Sequence, residues 1–354
     1  MRILDRYIGK TVLLSTFTVL MILVTLIMFF TFLDELRSVG QGNYGLIQAF
    51  QFILLSTPRL IYELFPMGVL LGCLLSLGAM ANNSELIAMR AAGISIRQIV
   101  FSAAKTGLLL MVIVVIIGEF ISPFMEKTAQ QLKAHAKTEK ATLIGEKGFW
   151  AKDSKTYIHI KQIFPGPVLR GIEIIEVDEK HAIKIITRAK TANYQRGKWL
   201  LKYITQTKIT GQGVTIKRFK KAIWSSLLNP ELLDIVTVKP DALSALGLYK
   251  YINYLQENGL DSLRYELAFW DKLVNPLDLM IMLFLAIPFV FGSIRSVSMG
   301  QRVLVGIMIG IVFTIINRAF GHIGLVYQLN PLFCAIFPSI LFMMIATYAL
   351  TRVK

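Results

Sequence analysis

"VLLSTFTVLMILVTLIMFFTFL" (residues 12–33) contains no charged residue. At ~1.5 Å per residue it is long enough, as a helix, to cross a hydrocarbon core of about 30 Å. No water is available there to pair with backbone groups, so the run must close its own hydrogen bonds as a helix. Runs of the same kind recur at 60–80, 99–121, 273–292, 303–321 and 332–350. Glu63 and Pro66 interrupt the second, and Lys105 and Glu119 lie near the ends of the third. The pattern is three spans, a long insert, and three more. The N-terminal "MRILDRYIGK" is basic, but the apolar run after it is too long for a cleaved signal, so a retained span is expected.

The composition agrees. Of 354 residues, 55% are hydrophobic and only 17% charged, and the mean hydropathy is +0.59. A soluble domain is nearer one quarter charged. The net charge of +16 would point to nucleic acid in a soluble protein, but cytoplasmic loops of membrane proteins carry excess Lys and Arg. No aromatic-basic recognition motif is present, which excludes nucleic acid as a partner. Arg2, Arg6, Lys10, Arg90, Arg97, Arg295, Arg302, Arg352 and Lys354 fall on one side. The opposite short loops hold Arg37 and Arg59, and no Lys or Arg in "GHIGLVYQLN" (321–330). Both termini are therefore expected in the cytoplasm, with the insert outside. Cys73 and Cys334 sit in apolar runs and read as small buried hydrophobes, not as a disulfide or a metal pair.

The insert has another rhythm. "TYIHIKQI" (156–163), "RGIEIIEV" (170–177), "GKWLLKYITQTKI" (197–209) and "GVTIKRF" (213–219) are β-branched and aromatic, separated by turns such as "FPGP" (164–167) and "YQRGK" (194–198). Partial alternation at this spacing predicts an all-β sandwich or jellyroll. After Pro240, "YKYINYLQENG" turns helical and stops at Gly259, and "SLRYELAFWDKL" leads into the fourth span. The expected fold is a polytopic α-helical membrane protein with six transmembrane helices and an all-β sandwich or jellyroll domain on the outer, periplasmic side between helices 3 and 4. Residues 1–123 form the first membrane half, 124–265 the β domain with its helical return, and 266–354 the second membrane half.

No phosphate-binding G-x-x-x-x-G-K-[ST] loop, H-E-x-x-H helix or G-x-S-x-G elbow occurs. His135, His159, His181 and His322 are isolated in sequence. No catalytic set and no metal site is expected, the chain is not expected to hydrolyse ATP itself, and an enzyme acting on lipid stays an open alternative. Charges inside spans are costly and mark function: here Glu63, Asp278 and Arg318. Asp278 and Arg318 lie at similar depths, so they can pair, or Arg318 can snorkel to the interface. Arg37, Arg59 and Lys133 all fall just above the outer membrane surface, as phosphate ligands or as solvated anchors.

Between spans two and three, "NNSELIAMRAAGIS" (82–95) predicts a short helix over about 84–92. Asn83 or Ser84 caps it, Glu85 suits its positive end and Gly93 ends it. Leu86 and Met89 form an apolar ridge beside Arg90. A poorly basic polar face led by an acid fits a docking knob for a cytoplasmic protein at least as well as a helix lying on lipid.

Together "LDRYIGK" (4–10), "GQGNYG" (40–45), "FPMGVLLGCLLSLG" (65–78), "NSELIAMRAAG" (83–93), "GFWAKD" (148–153), "DALS" (241–244), "YELAFWDKLVNPL" (265–277) and "FGSIRSVSMGQRV" (291–303) resemble the LptG subunits of the LptF/LptG (YjgP/YjgQ-type) family of lipopolysaccharide export permeases. The resemblance implies an inner-membrane ABC transporter permease, not an enzyme, that pairs with LptF and binds LptC. ATP and Mg would sit on a cytoplasmic LptB ATPase dimer, with no cofactor in this chain. Lipopolysaccharide would be drawn from the outer leaflet between spans one and five and passed to a periplasmic bridge. Glu85, Leu86, Met89, Arg90 and Gly93 would belong to the ATPase coupling helix. Arg37, Arg59 and Lys133 would meet substrate phosphates, Arg318 would compensate for Thr31 and Ser38 where further lysines are expected, and Phe29, Phe30, Leu64 and Phe65 would line the acyl-chain lumen. The sister LptF-type subunit, a mechanotransmission scaffold without lipid transport, and a membrane-anchored lipid enzyme are the alternatives.

Overall fold

The computed structural model describes residues 2–137, 148–153, 156–164, 168–178, 182–195, 197–210, 213–224, 239–291 and 299–351. His181, Arg295, Arg352, Lys354 and the side chain of Arg2 lie outside this set. Helix α1 (Arg2–Leu36) and α2 (Leu46–Asn82) are followed by the short α3 (Glu85–Ala91). Next, α4 (Ile96–Ile116) runs through a π turn (Ile117–Ile121) into α5 (Ser122–Lys137). After the β domain come α6 (Ala245–Glu257), α7 (Leu263–Phe291), α8 (Met299–Tyr327) and α9 (Pro331–Thr351). Among the described residues, six helices are long and apolar enough to cross a membrane.

The second and fourth spans are the centre of the bundle: 72% and 67% of their apolar windows are buried, against 17% for the fifth. Phe65, Val69, Leu70, Leu74 and Leu77 of α2 pack with Leu279, Leu283 and Ile287 of α7 in one core. Without a hydrophobic drive between helices in lipid, small residues that let backbones approach set the packing. A Cβ on Gly72 would stand 2.6 Å from the Thr16 Cα, and one on Gly306 would stand 2.5 Å from a Leu74 methyl. Those contacts seat α1 and α8 on α2.

Two spans outrun their sequence-based limits. The second begins at Leu46, not at 60, with Pro58 and Pro66 inside it. The third continues past 121 to Lys137, because Ala129 of α5 packs on Phe52 and Ile53 of α2. Residues 124–137 are thus helix continuous with the third span, and the first described strand starts at Phe149.

Among the described residues, the β domain is a six-stranded antiparallel meander: β1 (Phe149–Asp153), β2 (Thr156–Phe164), β3 (Val168–Val177), β4 (Ile183–Gln195), β5 (Lys198–Thr210) and β6 (Gly213–Trp224), in that order across the sheet. Four strands coincide with the segments read from sequence. The other two escaped that reading: β1 is short, and "IKIITRAKTANYQ" of β4 interleaves Lys, Arg and Thr with its apolar residues. One face, with Ile158, Ile160, Leu169, Ile172 and Ile204, packs against Leu248, Ile252 and Leu255 of α6. The Tyr254 hydroxyl donates to the Lys152 carbonyl at 2.9 Å and ties α6 to β1.

Overpacking at a close helix contact costs typically about 1–3 kcal/mol. Gly72→Val is expected to lower the detergent unfolding midpoint by that order, while Gly300→Ala, which meets open space, leaves it unchanged. Equal midpoints for wild type and Gly72→Val would contradict the α1–α2 contact.

Candidate functional site

Chemistry-bearing residues gather at the two ends of the bundle. At the end bearing the N-terminus, α3 is set off by two left-handed residues, Ser84 (φ 63°) and Gly93 (φ 87°). Ser84 occupies the N-cap position, but its side chain accepts no capping hydrogen bond. Gly93 terminates the helix where a side chain would be strained. Leu86 is buried and Met89 packs on the bundle core, so the expected apolar ridge is the root of the helix and does not face a partner. This corrects their placement on a docking face: a seven-residue helix lying against a bundle must spend its apolar side on that bundle. The face left open carries Ile87 and Arg90. Glu85 accepts a 2.8 Å hydrogen bond from the Tyr7 hydroxyl of α1. Nearby, Asp5 of α1 receives the Lys105 ammonium of α4 at 2.7 Å and a bond from the Ser102 hydroxyl. The start of span one is thereby bonded to both α3 and α4.

At the other end, the three expected phosphate ligands are all beside acids. Arg59 is partly buried and meets Glu63 at 2.8 Å, Asp241 at 3.5 Å and Glu126 at 3.8 Å. Lys133 reaches Glu35 at 2.7 Å and lies 4.4 Å above the Phe52 ring. Arg37 stands 3.9 Å from Asp34 with both side chains largely exposed, an arrangement worth little in water. Lys137 donates to the Ser38 hydroxyl at 2.9 Å, and Asn43 N–H donates to the Ala136 carbonyl at 2.7 Å. The "GQGNYG" loop is so stitched to the end of α5, where Gly42 (φ 60°) leaves no room for a Cβ against the Lys137 carbonyl. Burial and the neighbouring Glu35 push the Tyr44 phenol in this loop above its ordinary range.

Glu119 does not sit loose in the membrane. The π turn aims its carboxylate at the N-terminus of α6, where it accepts from Ala245 N–H at 2.9 Å and Leu246 N–H at 3.3 Å. These are two of the orphan donors that every helix start presents. Lys272 donates to the Leu243 carbonyl, and Tyr62 to the Lys272 carbonyl at 3.1 Å. Spans two, three and four are joined in this way to the segment that leads out of the β domain.

Asp278 and Arg318 do not pair. Asp278 is buried and accepts from the Ser339 hydroxyl of α9, whereas Arg318 points outward from α8 and has no acid partner among the described residues. Phe65 is also a correction: at 3% exposure it is a core residue between α2 and α7, not a lumen wall. Leu64 is half-buried, and Phe29 is exposed with its edge toward Phe30 at 5.8 Å. The acids at these sites, Glu35, Glu126 and Asp241, were not anticipated. Only the pairs close in sequence, Arg59–Glu63 four apart and Asp34–Arg37 three apart, have a local signature.

These elements define a polytopic membrane protein with a β domain inserted after its third span and a short helix at the opposite end. The family model for the lipopolysaccharide export system permease LptF/LptG matches residues 6–352. The LptG permease protein of Escherichia coli K12 is 36% identical over 353 residues, covering 99% of this chain and 98% of the relative. That of Haemophilus influenzae Rd is 37% identical over 351 residues, with the same coverage. The chain belongs to the LptF/LptG family of lipopolysaccharide export permeases.

A carboxylate at a helix N-terminus is worth about 0.5–2 kcal/mol. Glu119→Ala should speed amide hydrogen exchange at the start of α6 by the corresponding factor while leaving β2 and β3 protected. Unchanged exchange at Ala245 and Leu246 would refute the cap.

Proposed function

We propose that this chain is an LptG-type permease subunit that extracts lipopolysaccharide from the outer leaflet of the inner membrane. In this reading its termini face the cytoplasm and the β domain lies in the periplasm. It pairs with an LptF-type subunit, an LptC span joins at span one, and an LptB-type ATPase dimer binds the cytoplasmic end and hydrolyses ATP. The lipid leaves by a periplasmic bridge toward the outer membrane. The observation that supports this best is the contrast between covered and uncovered spans. Spans two and four are packed, while spans one, three and five turn long apolar faces outward, with Phe29 and Phe30 on the first and Leu304, Met308 and Ile315 on the fifth. Lateral entry of a multi-chain lipid between two subunits needs apolar walls of that kind.

Phosphates need fixed cations with spare hydrogen-bonding capacity. Arg37, loosely held by Asp34, and Arg318, without an acid partner among the described residues, meet that need most directly. Arg59 and Lys133 are engaged by carboxylates, so a phosphate there must displace or share with Glu63, Glu126 or Glu35. At the cytoplasmic end, Arg90 on the open side of α3 and Glu85 at its start, tied to Tyr7, are the residues for the ATPase, while Leu86, Met89 and Gly93 set the helix's seat and stop. A push on α3 reaches span one through the Tyr7–Glu85 bond.

A photocrosslinker at Phe29 or Arg318, in the chain assembled with its sister subunit and ATPase, is expected to capture lipopolysaccharide and to lose it when ATP is added. Absence of any lipid adduct at both positions would favour the scaffold without lipid transport. Glu85→Lys should abolish ATP-dependent release while the protein still assembles in the membrane. Normal release by Glu85→Lys protein would remove Glu85 from the coupling path.

A further inference from the structure

Beside span one, at the end that carries the N-terminus, a groove of about 670 Å³ separates α1 from α4. Its floor is a close helix contact: a Cβ on Gly9 would stand 3.0 Å from the Thr106 hydroxyl. Its two walls differ along their length. Arg6, Lys10 and Lys105 stand at the terminal end, and Leu14, Phe17 and Leu109 continue the groove into the apolar part of both helices. All six of these side chains are exposed.

The charges are unevenly compensated. Asp5, the acid lining the groove, is already engaged by Lys105 at 2.7 Å and by Ser102. Arg6 and Lys10, one turn apart on the same helix face, have no acid partner among the described residues. A cationic mouth opening onto an apolar trough matches a lipid with a phosphate headgroup: the phosphate at headgroup depth, the acyl chains along Phe17 and Leu109. Basic pockets between spans on the cytoplasmic side bind anionic headgroups in this way. A second protein helix would have to bring acids to that same depth. A zwitterionic lipid would place its own amine against Lys10. We infer that the α1–α4 groove is a binding site for an anionic phospholipid of the cytoplasmic leaflet, held by Arg6 and Lys10 beside span one.

This site is distinct from the export path at the other end of the bundle; its leaflet rests on the orientation proposed above, with the N-terminus in the cytoplasm, and not on lipid transport. It is tested by native mass spectrometry of the full chain titrated with phosphatidylglycerol, with phosphatidylethanolamine as the neutral comparison. Wild type is expected to retain phosphatidylglycerol in preference. At about 1 kcal/mol per basic residue at a membrane surface, the Arg6→Gln/Lys10→Gln double variant should bind it roughly thirty-fold more weakly, with phosphatidylethanolamine unaffected. Lys10→Arg should keep the binding. Arg97→Gln, which removes a cation at the same end but outside the groove, should also leave it intact. Wild-type retention by the double variant would overturn the site. So would an equal loss in Arg97→Gln, which would mean a diffuse surface field. Displacement of phosphatidylglycerol by lipid A would overturn it too, since the groove would then belong to the substrate path.

Discussion

Hydrocarbon offers no partner to a backbone amide or to a charge, and the architecture follows from that constraint. Backbone groups are satisfied within helices, so the chain crosses as helices even through Pro58 and Pro66. Apolar burial does not separate helix–helix from helix–lipid contact, so the bundle is held by close approaches at Gly72 and Gly306 and by polar pairs. Asp278 meets Ser339 and Arg302 donates to the Gly78 carbonyl at 2.8 Å. Each pair joins two spans at a point where an unpartnered polar group would be expensive.

The same constraint concentrates ionic chemistry at the two ends. At one, Arg59 gathers Glu63, Glu126 and Asp241, and Glu119 caps α6, so spans two and three are fixed to the segment returning from the β sheet. At the other, Tyr7 holds Glu85 and Asp5 holds Lys105, so the start of span one is fixed to α3 and α4. The rigid core of spans two and four lies between them. A displacement of α3 therefore has a bonded route to span one and, through the packed core, to the base of the β domain.

The sequence exposed what depends on composition and local period. The six spans are legible because a long, nearly uncharged run placed in hydrocarbon must close its backbone hydrogen bonds as a helix. The β insert is legible from its turns, and the stop at Gly93 from its need for positive φ. Direction and partnership were hidden. Leu86 and Met89 make the same ridge whether it faces the bundle or a partner, and only the packing shows that it faces the bundle. Phe65 reads like Phe29 in a hydrophobic run, yet one is core and the other exposed. Asp241 lies 182 residues from Arg59, and no local signal announces such a pair. The cations at the rim were visible; the distant acids that engage them, Glu35, Glu126 and Asp241, were not.

The central claim is that ATP turnover on a partner drives lipopolysaccharide out of the membrane through this subunit. It is tested most directly in proteoliposomes holding this chain, its sister subunit and the ATPase, by following labelled lipopolysaccharide to a soluble periplasmic acceptor. The account predicts transfer that requires ATP and stops when this chain is omitted. ATP hydrolysis at full rate with the lipid left in the bilayer would contradict it.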